Sequence, residues 1–286
     1  MGAASTPTPQ GSQAPAVTEI TPVSGWRLPN FGEVARNSDL VYFPAKRDVT
    51  VRYKQTAVGA LWAVIQPLML AAIFTIFLGQ LTDIPSGGTP YALFALTGMT
   101  MWLFLSGAIS RSAESTLGSR DLISKVYFPR LIVPLAAVAA PAADFVVAFA
   151  VLIVILLGTG EFPGPQVLLA PPVFGLALAV ALGIGLWLSA LVVRYRDISL
   201  AVPFVTQVLL FVTPILYPLS LVPEEYRTLY ALNPLVGLLE TFRWTVLPHA
   251  DAPGLPLLVS AATGALLLGG GLMLFGRAER RFADVI

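Results

Sequence analysis

Long apolar stretches with at most one charged residue dominate the chain from residue 58 onward. Six of them reach the length of roughly 20 residues that a helix needs to cross a hydrocarbon core about 30 Å thick. They cover residues 58–81, 90–110, 131–157, 167–193, 198–222 and 252–276. The pattern predicts an all-α membrane protein whose six transmembrane helices fill residues 58–276.

The segment between the fifth and sixth predicted spans, residues 223–251, has a different pattern. Its longest apolar stretch, residues 228–239, is too short to cross a bilayer and is interrupted by Asn233 and Pro234. We therefore predict two short re-entrant helices here, which dip into the membrane and return to the same side.

Prolines and small residues inside the spans predict how the helices bend and pack. Four prolines should kink their helices, because a membrane bundle can satisfy the carbonyls that proline leaves free. They are Pro67, Pro141, Pro203 and Pro214. On the fourth span, Gly175, Ala179 and Gly183 recur every four residues, which predicts close approach of another helix backbone.

The N-terminal part of the chain divides into a tail and a membrane-surface segment. Residues 1–25 contain no apolar run, which predicts a disordered tail rather than a signal peptide. Residues 31–56, which Pro44 divides, mix apolar and basic side chains and predict a cytoplasmic amphipathic interface helix. It could be a plain membrane anchor, a docking platform or a place where lipid headgroups enter. Its basic residues include Lys46, Arg47, Arg52 and Lys54.

Basic residues are concentrated on one side of the predicted topology. Fifteen of the seventeen lie in the N-terminal segment, in the loops after spans two and four, or near the C-terminus. Only Arg227 and Arg243 fall on the other side. Since short cytoplasmic loops collect Lys and Arg, both termini are predicted to be cytoplasmic, with residues 277–286 as the C-terminal tail.

Composition supports the membrane assignment and argues against several classes of chemistry. Hydrophobic residues make up 56% of the chain and charged residues 12%, against about 25% charged in a soluble domain. Cysteine is absent, His249 is the single histidine, and no phosphate-binding G-x-x-x-x-G-K-[ST] loop occurs. We predict no catalytic residues, no metal site and no ATP binding by this chain, and its net charge of +1 does not indicate nucleic acid.

Asp144 is the one charged residue inside the third predicted span, a position where an ionisable group usually has a function. A proton relay would need a second ionisable group at similar depth, and none is predicted there. We therefore favour a structural role, in which Asp144 pairs with polar groups of a neighbouring helix or lines a wet cavity.

The loop between the second and third spans predicts a short amphipathic helix. Ser119 can cap its start and Pro129 ends it. Leu122, Ile123 and Val126 recur at helical spacing between charged neighbours, so they could enter the groove of a cytoplasmic partner. A helix that rests on the lipid surface would show the same pattern.

Five blocks of sequence carry a resemblance to a known family. They are RYKQTAVGALWAVIQP at 52–67, SKVYFPR at 124–130, RYRDI at 194–198, TPILYP at 213–218 with VPEEYR at 222–227, and LNP at 232–234 with ETFRW at 240–244. In this order they resemble the permeases of polysaccharide, O-antigen and teichoic acid ATP-binding-cassette exporters, which are type-two ABC transporters.

The resemblance implies a homodimer bound to two cytoplasmic ATP-binding-cassette subunits, which would bind ATP and Mg. It also implies that the dimer moves a polysaccharide linked to polyprenyl diphosphate across the bacterial cytoplasmic membrane. This chain would then be no enzyme and would hold no cofactor of its own.

The resemblance also assigns roles to residues of this chain. Contacts with the ATPase fall on Arg120, Asp121, Leu122, Ile123, Lys125, Val126 and Tyr127, and on Arg194, Arg196 and Asp197. The channel-lining candidates, whose rings could stack on sugars, are Phe74, Phe77, Phe204 and Phe211. An outer gate falls on Glu224, Glu225, Tyr226, Arg227, Glu240 and Arg243, and membrane lipid headgroups would contact Lys46, Arg47, Arg52 and Lys54.

Two other functions stay open from the sequence. A multi-span polyprenyl-dependent glycosyltransferase or acyltransferase would need an acidic or histidine cluster at the membrane surface. Only Glu224, Glu225, Glu240 and Asp251 could supply one. A drug or small-lipid exporter of the same superfamily would share most of the features above.

Overall fold

The computed structural model describes Gly32, Arg36 and residues 38–54, 59–80, 87–120 and 128–279. All regular elements within these residues are helical. The predicted tail 1–25 and residues 280–286 lie outside the described residues. The helices are α1 (Ser38–Lys54), α2 (Trp62–Phe74), α3 (Tyr91–Gly118), α4 (Ile132–Ala137), α5 (Ala139–Thr159), α6 (Ala170–Arg194), α7 (Asp197–Val212), α8 (Glu224–Ala231), α9 (Pro234–Val246) and α10 (Gly254–Glu279).

Five helical stretches are long and apolar enough to cross a membrane. They are Gly59–Gly79, Tyr91–Gly118, Ile132–Thr159, Pro165–Arg194 and Gly254–Glu279. These correspond to the first, second, third, fourth and sixth predicted spans, so the prediction of a multi-span helical membrane protein is confirmed.

The fifth predicted span, residues 198–222, is shorter than the sequence suggests. Its helix α7 ends at Val212, and its 16 residues rise about 24 Å, short of a hydrocarbon core of about 30 Å. Thr213 is extended (φ −90°, ψ 138°), because a residue before proline is disfavoured in the helical region. Pro214 therefore lies after the end of α7, and the prediction that it kinks the fifth span is wrong.

The core of the bundle is built around α3. This helix packs against α2, α5 and α6, and most of its length is buried. Aromatic rings fill the space between them, with Phe145 of α5 stacked on Phe174 of α6 at a centroid distance of 4.5 Å. The last helix α10 lies along α6, where a Cβ on Gly183 would meet Leu268 N at 2.7 Å. The predicted close approach is thus correct for Gly183 but wrong for Gly175, which faces open space.

The two ends of the bundle are occupied by different elements. At one end α1 lies against α4 and α5, and a hydroxyl contact of 2.7 Å between Thr116 and Ser189 joins the ends of α3 and α6. We call this the interface-helix end. The far end carries Tyr91, where α3 begins, and the short helices α8 and α9.

Two predicted short elements are present, with one difference. Helices α8 and α9 confirm the pair of short helices within 223–251, and Asn233 caps α9 by accepting a hydrogen bond from Leu235 N at 3.0 Å. Pro234 occupies the first turn, where its missing N–H costs nothing. Helix α1, however, continues from Ser38 to Lys54 through Pro44 and is not divided there.

Candidate functional site

An ion pair joins the interface helix to the third span. Arg52 Nη2 lies 2.6 Å from Asp144 Oδ2, and the Tyr53 hydroxyl donates to Asp144 Oδ1 at 2.6 Å. The two charged side chains are 34% and 19% exposed. The prediction that Asp144 lies apart from other ionisable groups is therefore wrong. The predicted pairing with polar groups of a neighbouring helix is correct, and that helix is α1.

Tyr53 acts as a fixed hydrogen-bond donor in this cluster. Burial and the hydrogen bond to Asp144 together raise the pKa of Tyr53 to about 12. Both effects favour the neutral phenol, because a phenolate would be poorly solvated and would face a carboxylate. Tyr53 consequently keeps its proton at physiological pH and can hold Asp144 whether or not Arg52 does.

Two cavities meet at this ion pair. One of about 340 Å³ lies toward α1 and the start of α2, and another of about 170 Å³ lies toward α3. Arg52, Gln66 and Asp144 line both of them, and Ser106 and Arg111 line the second. An anionic group such as a phosphate could bind here if Arg52 exchanged Asp144 for it, since guanidinium and phosphate match in geometry.

A larger groove of about 700 Å³ lies beside these cavities, between α1, the end of α3 and the start of α4. Leu40, Phe43, Phe128 and Ile132 are among its apolar lining residues, and charged side chains including Arg47 stand around them. An apolar interior with a charged rim suits an amphipathic ligand or a partner segment.

Arg130 and Glu279 cap each other's helices at the same end. The Arg130 backbone N–H, just before α4, donates to Glu279 Oε1 at 2.9 Å, and the Arg130 guanidinium donates to the Glu279 carbonyl oxygen at the end of α10. A carboxylate at a helix start and a cation at a helix end both complement the helix dipole. The predicted coupling loop, which ends at Arg130, is thus fastened to the last helix.

A buried arginine organises the far end. Arg243 of α9 is 1% exposed, and its two terminal nitrogens donate to the carbonyl oxygens of Pro214 at 2.8 Å and Ile215 at 2.5 Å. Glu240 accepts a further hydrogen bond at 2.8 Å, and the guanidinium lies 3.8 Å from the Phe94 ring centroid. Both terminal nitrogens of the guanidinium are thus hydrogen-bonded, an arrangement that favours arginine over lysine. The buried Nε has no hydrogen-bond partner among the described residues.

Comparison with known families decides the identity. The ABC-2 type transporter family matches residues 40–247, which reach from α1 to the end of α9 and amount to most of the chain. This chain belongs to the ABC-2 type transporter family. The resemblance to ATP-binding-cassette exporter permeases that the five sequence blocks indicate is confirmed, and the chain is a transporter membrane subunit and not an enzyme.

Several curated proteins are similar to this ABC-2 transporter over most of their length. An O-antigen export system permease protein RfbA from Myxococcus xanthus is 28% identical over 247 residues, which are 84% of this chain and 93% of the relative. A protein of the same name from Klebsiella pneumoniae is 28% identical and covers 87% and 95%. The polysialic acid transport protein KpsM from Escherichia coli is 24% identical and covers 82% and 91%.

The structure brings part of the predicted interface and coupling residues to the interface-helix end of this ABC-2 transporter. Lys46, Arg47 and Lys54 are exposed on α1, while Arg52 turns inward to Asp144. Half-buried Arg120 ends the described part of its loop, and Arg194, Arg196 and Asp197 are exposed where α6 meets α7. The coupling candidates Asp121, Leu122, Ile123, Lys125, Val126 and Tyr127 lie outside the described residues, so their role stays a prediction.

The predicted gate and channel residues fall into buried and exposed groups. Arg243 is buried, whereas Glu224, Glu225 and Tyr226 are exposed on α8, and Arg227 donates back to the Val222 carbonyl oxygen at 3.0 Å. Of the aromatic candidates, Phe77, Phe204 and Phe211 are exposed, and Phe74 is half-buried against the core. Their roles in a gate and a channel stay predictions.

Sequence reasoning missed several partners of these residues. Tyr53 and Asp144 are 91 positions apart, so no local pattern could pair them. Gly98 looks like any small residue of a membrane helix, yet a Cβ there would lie 2.6 Å from the Ile215 carbonyl oxygen. Glu279 could have been noticed as an acid in a C-terminus otherwise rich in arginine, but its partner could not.

Proposed function

We propose that this chain is the permease subunit of an ATP-driven exporter that moves a polysaccharide linked to polyprenyl diphosphate across the bacterial cytoplasmic membrane. Two copies form the channel, and two cytoplasmic ATP-binding-cassette subunits bind ATP and Mg. Both termini of the permease are cytoplasmic, so the interface-helix end faces the cytoplasm and the far end faces outward.

The observation that carries the proposal is similarity over more than four-fifths of the chain to proteins named for O-antigen export and polysialic acid transport. The geometry of the interface-helix end supports it. Arg52 lies between two cavities, and its side chain is about one-third exposed in the ion pair with Asp144. A diphosphate group that entered either cavity could therefore bind the Arg52 guanidinium in place of Asp144. Lys46, Arg47 and Lys54 are exposed on α1 and supply further positive charge that could bind lipid headgroups.

The force that drives transport would reach the permease at two places. One is the loop that contains residues 120–127, and the other is the exposed junction at Arg194, Arg196 and Asp197. The exposed rings of Phe77, Phe204 and Phe211 would line the channel of the dimer, where flat aromatic faces let a sugar chain slide. Glu224, Glu225, Tyr226, Arg227 and Glu240 would form its outer gate.

Reconstitution tests this function directly. The permease should be co-purified with the ATPase encoded beside it and placed in vesicles that carry a polyprenyl-diphosphate-linked glycan. An impermeant glycan-cleaving enzyme then measures how much glycan crosses after ATP is added to the ATPase side. We expect crossing only with both subunits and ATP. Crossing without ATP, or no crossing with the complete complex, would overturn the proposal, and equal transport of lipids without a glycan would identify a small-lipid exporter.

A further inference from the structure

The stretch that follows α7 is buried although it is not helical. Thr213 and Ile215 are each 1% exposed and Leu216 is 4% exposed, and all three follow the helix end at Val212. We call residues 213–216 the buried link. In a membrane, non-helical backbone is stable only where the protein itself satisfies its polar groups. The buried link must therefore have dedicated partners.

Side chains from two other elements supply those partners. Arg243 of α9 donates to the carbonyl oxygens of Pro214 and Ile215, and the Tyr91 hydroxyl of α3 donates to that of Leu216 at 2.7 Å. Three consecutive backbone carbonyls are thus each bound by a side chain. In addition, Asn233 Nδ2 donates to Thr213 Oγ1 at 3.3 Å.

The surroundings leave little freedom for this arrangement to shift. Helix α3 presents Gly98 to the link, and any larger residue would press on both the Ile215 carbonyl oxygen and Arg243. Beyond the link, the Tyr217 hydroxyl donates back to the Phe211 carbonyl oxygen at 2.9 Å, so the end of α7 is tied to the same structure.

We propose that Arg243 is a positioning residue, which together with Tyr91 holds the buried link so that the fifth membrane crossing is completed by fixed, non-helical backbone. The link is then a rigid outer wall of the translocation path, and it sets the position of α7, the helix that presents Phe204 and Phe211 on its exposed surface. The transport part of this inference rests on the proposed function, whereas the architectural part does not.

Cysteine labelling separates the two parts, because the chain has no native cysteine. Leu216→Cys probes the link, and Thr228→Cys, at an exposed position of α8, is the matched reference. A water-soluble maleimide added to the detergent-purified protein should label Thr228→Cys quickly and Leu216→Cys slowly. Adding Arg243→Lys, which keeps the charge but loses the fork, should speed labelling of Leu216→Cys by about tenfold or more, since it weakens hydrogen bonds to a charged group.

Glycan export is then measured for Arg243→Lys in the cysteine-free chain, with membrane level and ATPase recruitment as controls. Faster labelling together with a loss of export of about tenfold or more, at normal membrane level, supports the inference. Unchanged labelling overturns the architectural part, and faster labelling with normal export overturns the positioning role. If the native complex exports no glycan, the proposed function fails while the labelling result still decides the architecture.

Should Arg243→Lys fail to accumulate in the membrane, Tyr91→Phe provides the second variant. It removes only the donor to the Leu216 carbonyl oxygen and keeps the ring in the core. We expect it to speed labelling of Leu216→Cys severalfold, in line with the loss of one neutral hydrogen bond. An unchanged labelling rate would overturn the inference.

Discussion

The two ends of the bundle both depend on an arginine, but they hold it in opposite ways. Arg52 at the interface-helix end is about one-third exposed, has cavities on two sides and pairs with a carboxylate. Arg243 at the far end is buried and bound to backbone carbonyls, a carboxylate and an aromatic face. A solvated ion pair contributes about 1 kcal/mol or less, whereas breaking a buried one costs about 3–5 kcal/mol. Arg52 at the interface-helix end can therefore exchange Asp144 for another anionic group, whereas Arg243 at the far end keeps its partners.

The largest effect is expected at the buried arginine. Arg243→Ala leaves the carboxylate of Glu240 and two link carbonyls without their donor, which should lower the free energy of unfolding by about 3–5 kcal/mol. Thermal unfolding of the detergent-purified chain, followed by tryptophan fluorescence, measures the change. Arg227→Ala is the matched control, because the Arg227 side chain is 42% exposed and pairs with the exposed carboxylate of Glu224, so its loss should cost about 1 kcal/mol or less. Equal effects of the two variants would contradict the comparison.

A second strong effect is expected in the predicted coupling loop at the interface-helix end. If Ile123 enters a groove of the ATPase, Ile123→Asp buries a carboxylate without a partner at a cost of several kcal/mol. Because about 1.4 kcal/mol corresponds to tenfold in affinity, ATPase binding should weaken by orders of magnitude. A pull-down from detergent extract measures it, with Ile123→Val as control. Undiminished ATPase recovery with Ile123→Asp would mean that this helix rests on lipid instead.

A smaller effect is expected where α3 contacts the buried link. Gly98→Ala places a methyl group 2.6 Å from the Ile215 carbonyl oxygen, and overpacking of this kind costs about 1–3 kcal/mol. Gly175→Ala is the control from α6, where the new methyl group meets open space, and it should be neutral or stabilising by up to about 1 kcal/mol. Both are compared by the same unfolding measurement. A Gly98→Ala chain as stable as the native one would show that the link can move aside.

The smallest effect on stability is expected at the exchangeable ion pair. Asp144→Asn should lower the free energy of unfolding by about 1 kcal/mol or less, because Arg52 remains partly solvated and Tyr53 can still donate to the amide oxygen. Thermal unfolding of this variant beside Tyr53→Phe measures it. A loss as large as that of Arg243→Ala would show that the two ends are equally fixed, and the comparison would fail.

The sequence predicted the helices well where apolar runs end in charged or polar loops. The sixth span, predicted at 252–276, is the helix Gly254–Glu279, and the short helices α8 and α9 lie within the predicted segment 223–251. The second span, predicted at 90–110, begins at Tyr91 but continues eight residues farther, to Gly118. The fifth span was predicted about ten residues too long, because residues 213–222 remain apolar after the helix has ended. Hydropathy indicates which residues are buried but not whether their backbone is helical, and the buried link is apolar and buried without being helical. What makes its non-helical backbone tolerable is Arg243, which follows Ile215 by 28 positions.

The candidate site was predictable by residue type more than by arrangement. The basic residues of α1 and the acid in the third span are visible in the sequence, but their contact depends on how α1 lies against α5. An isolated acid in an apolar segment predicts that a partner exists. Identifying the partner required the tertiary structure, because Arg52 belongs to a segment that sequence reasoning places at the lipid surface.

The reciprocal caps of Arg130 and Glu279 have a mechanical consequence. A force on residues 128–130 does not act on the start of the third span alone. The hydrogen bonds between Arg130 and Glu279 also transmit it to the end of α10, which lies along α6. A force on these residues is therefore distributed over α4, α10 and α6, and the end of the loop is held more rigidly than one helix end alone would hold it. A C-terminal truncation that removes Glu279 would remove its hydrogen bonds with Arg130, so even this short truncation should make the loop more flexible.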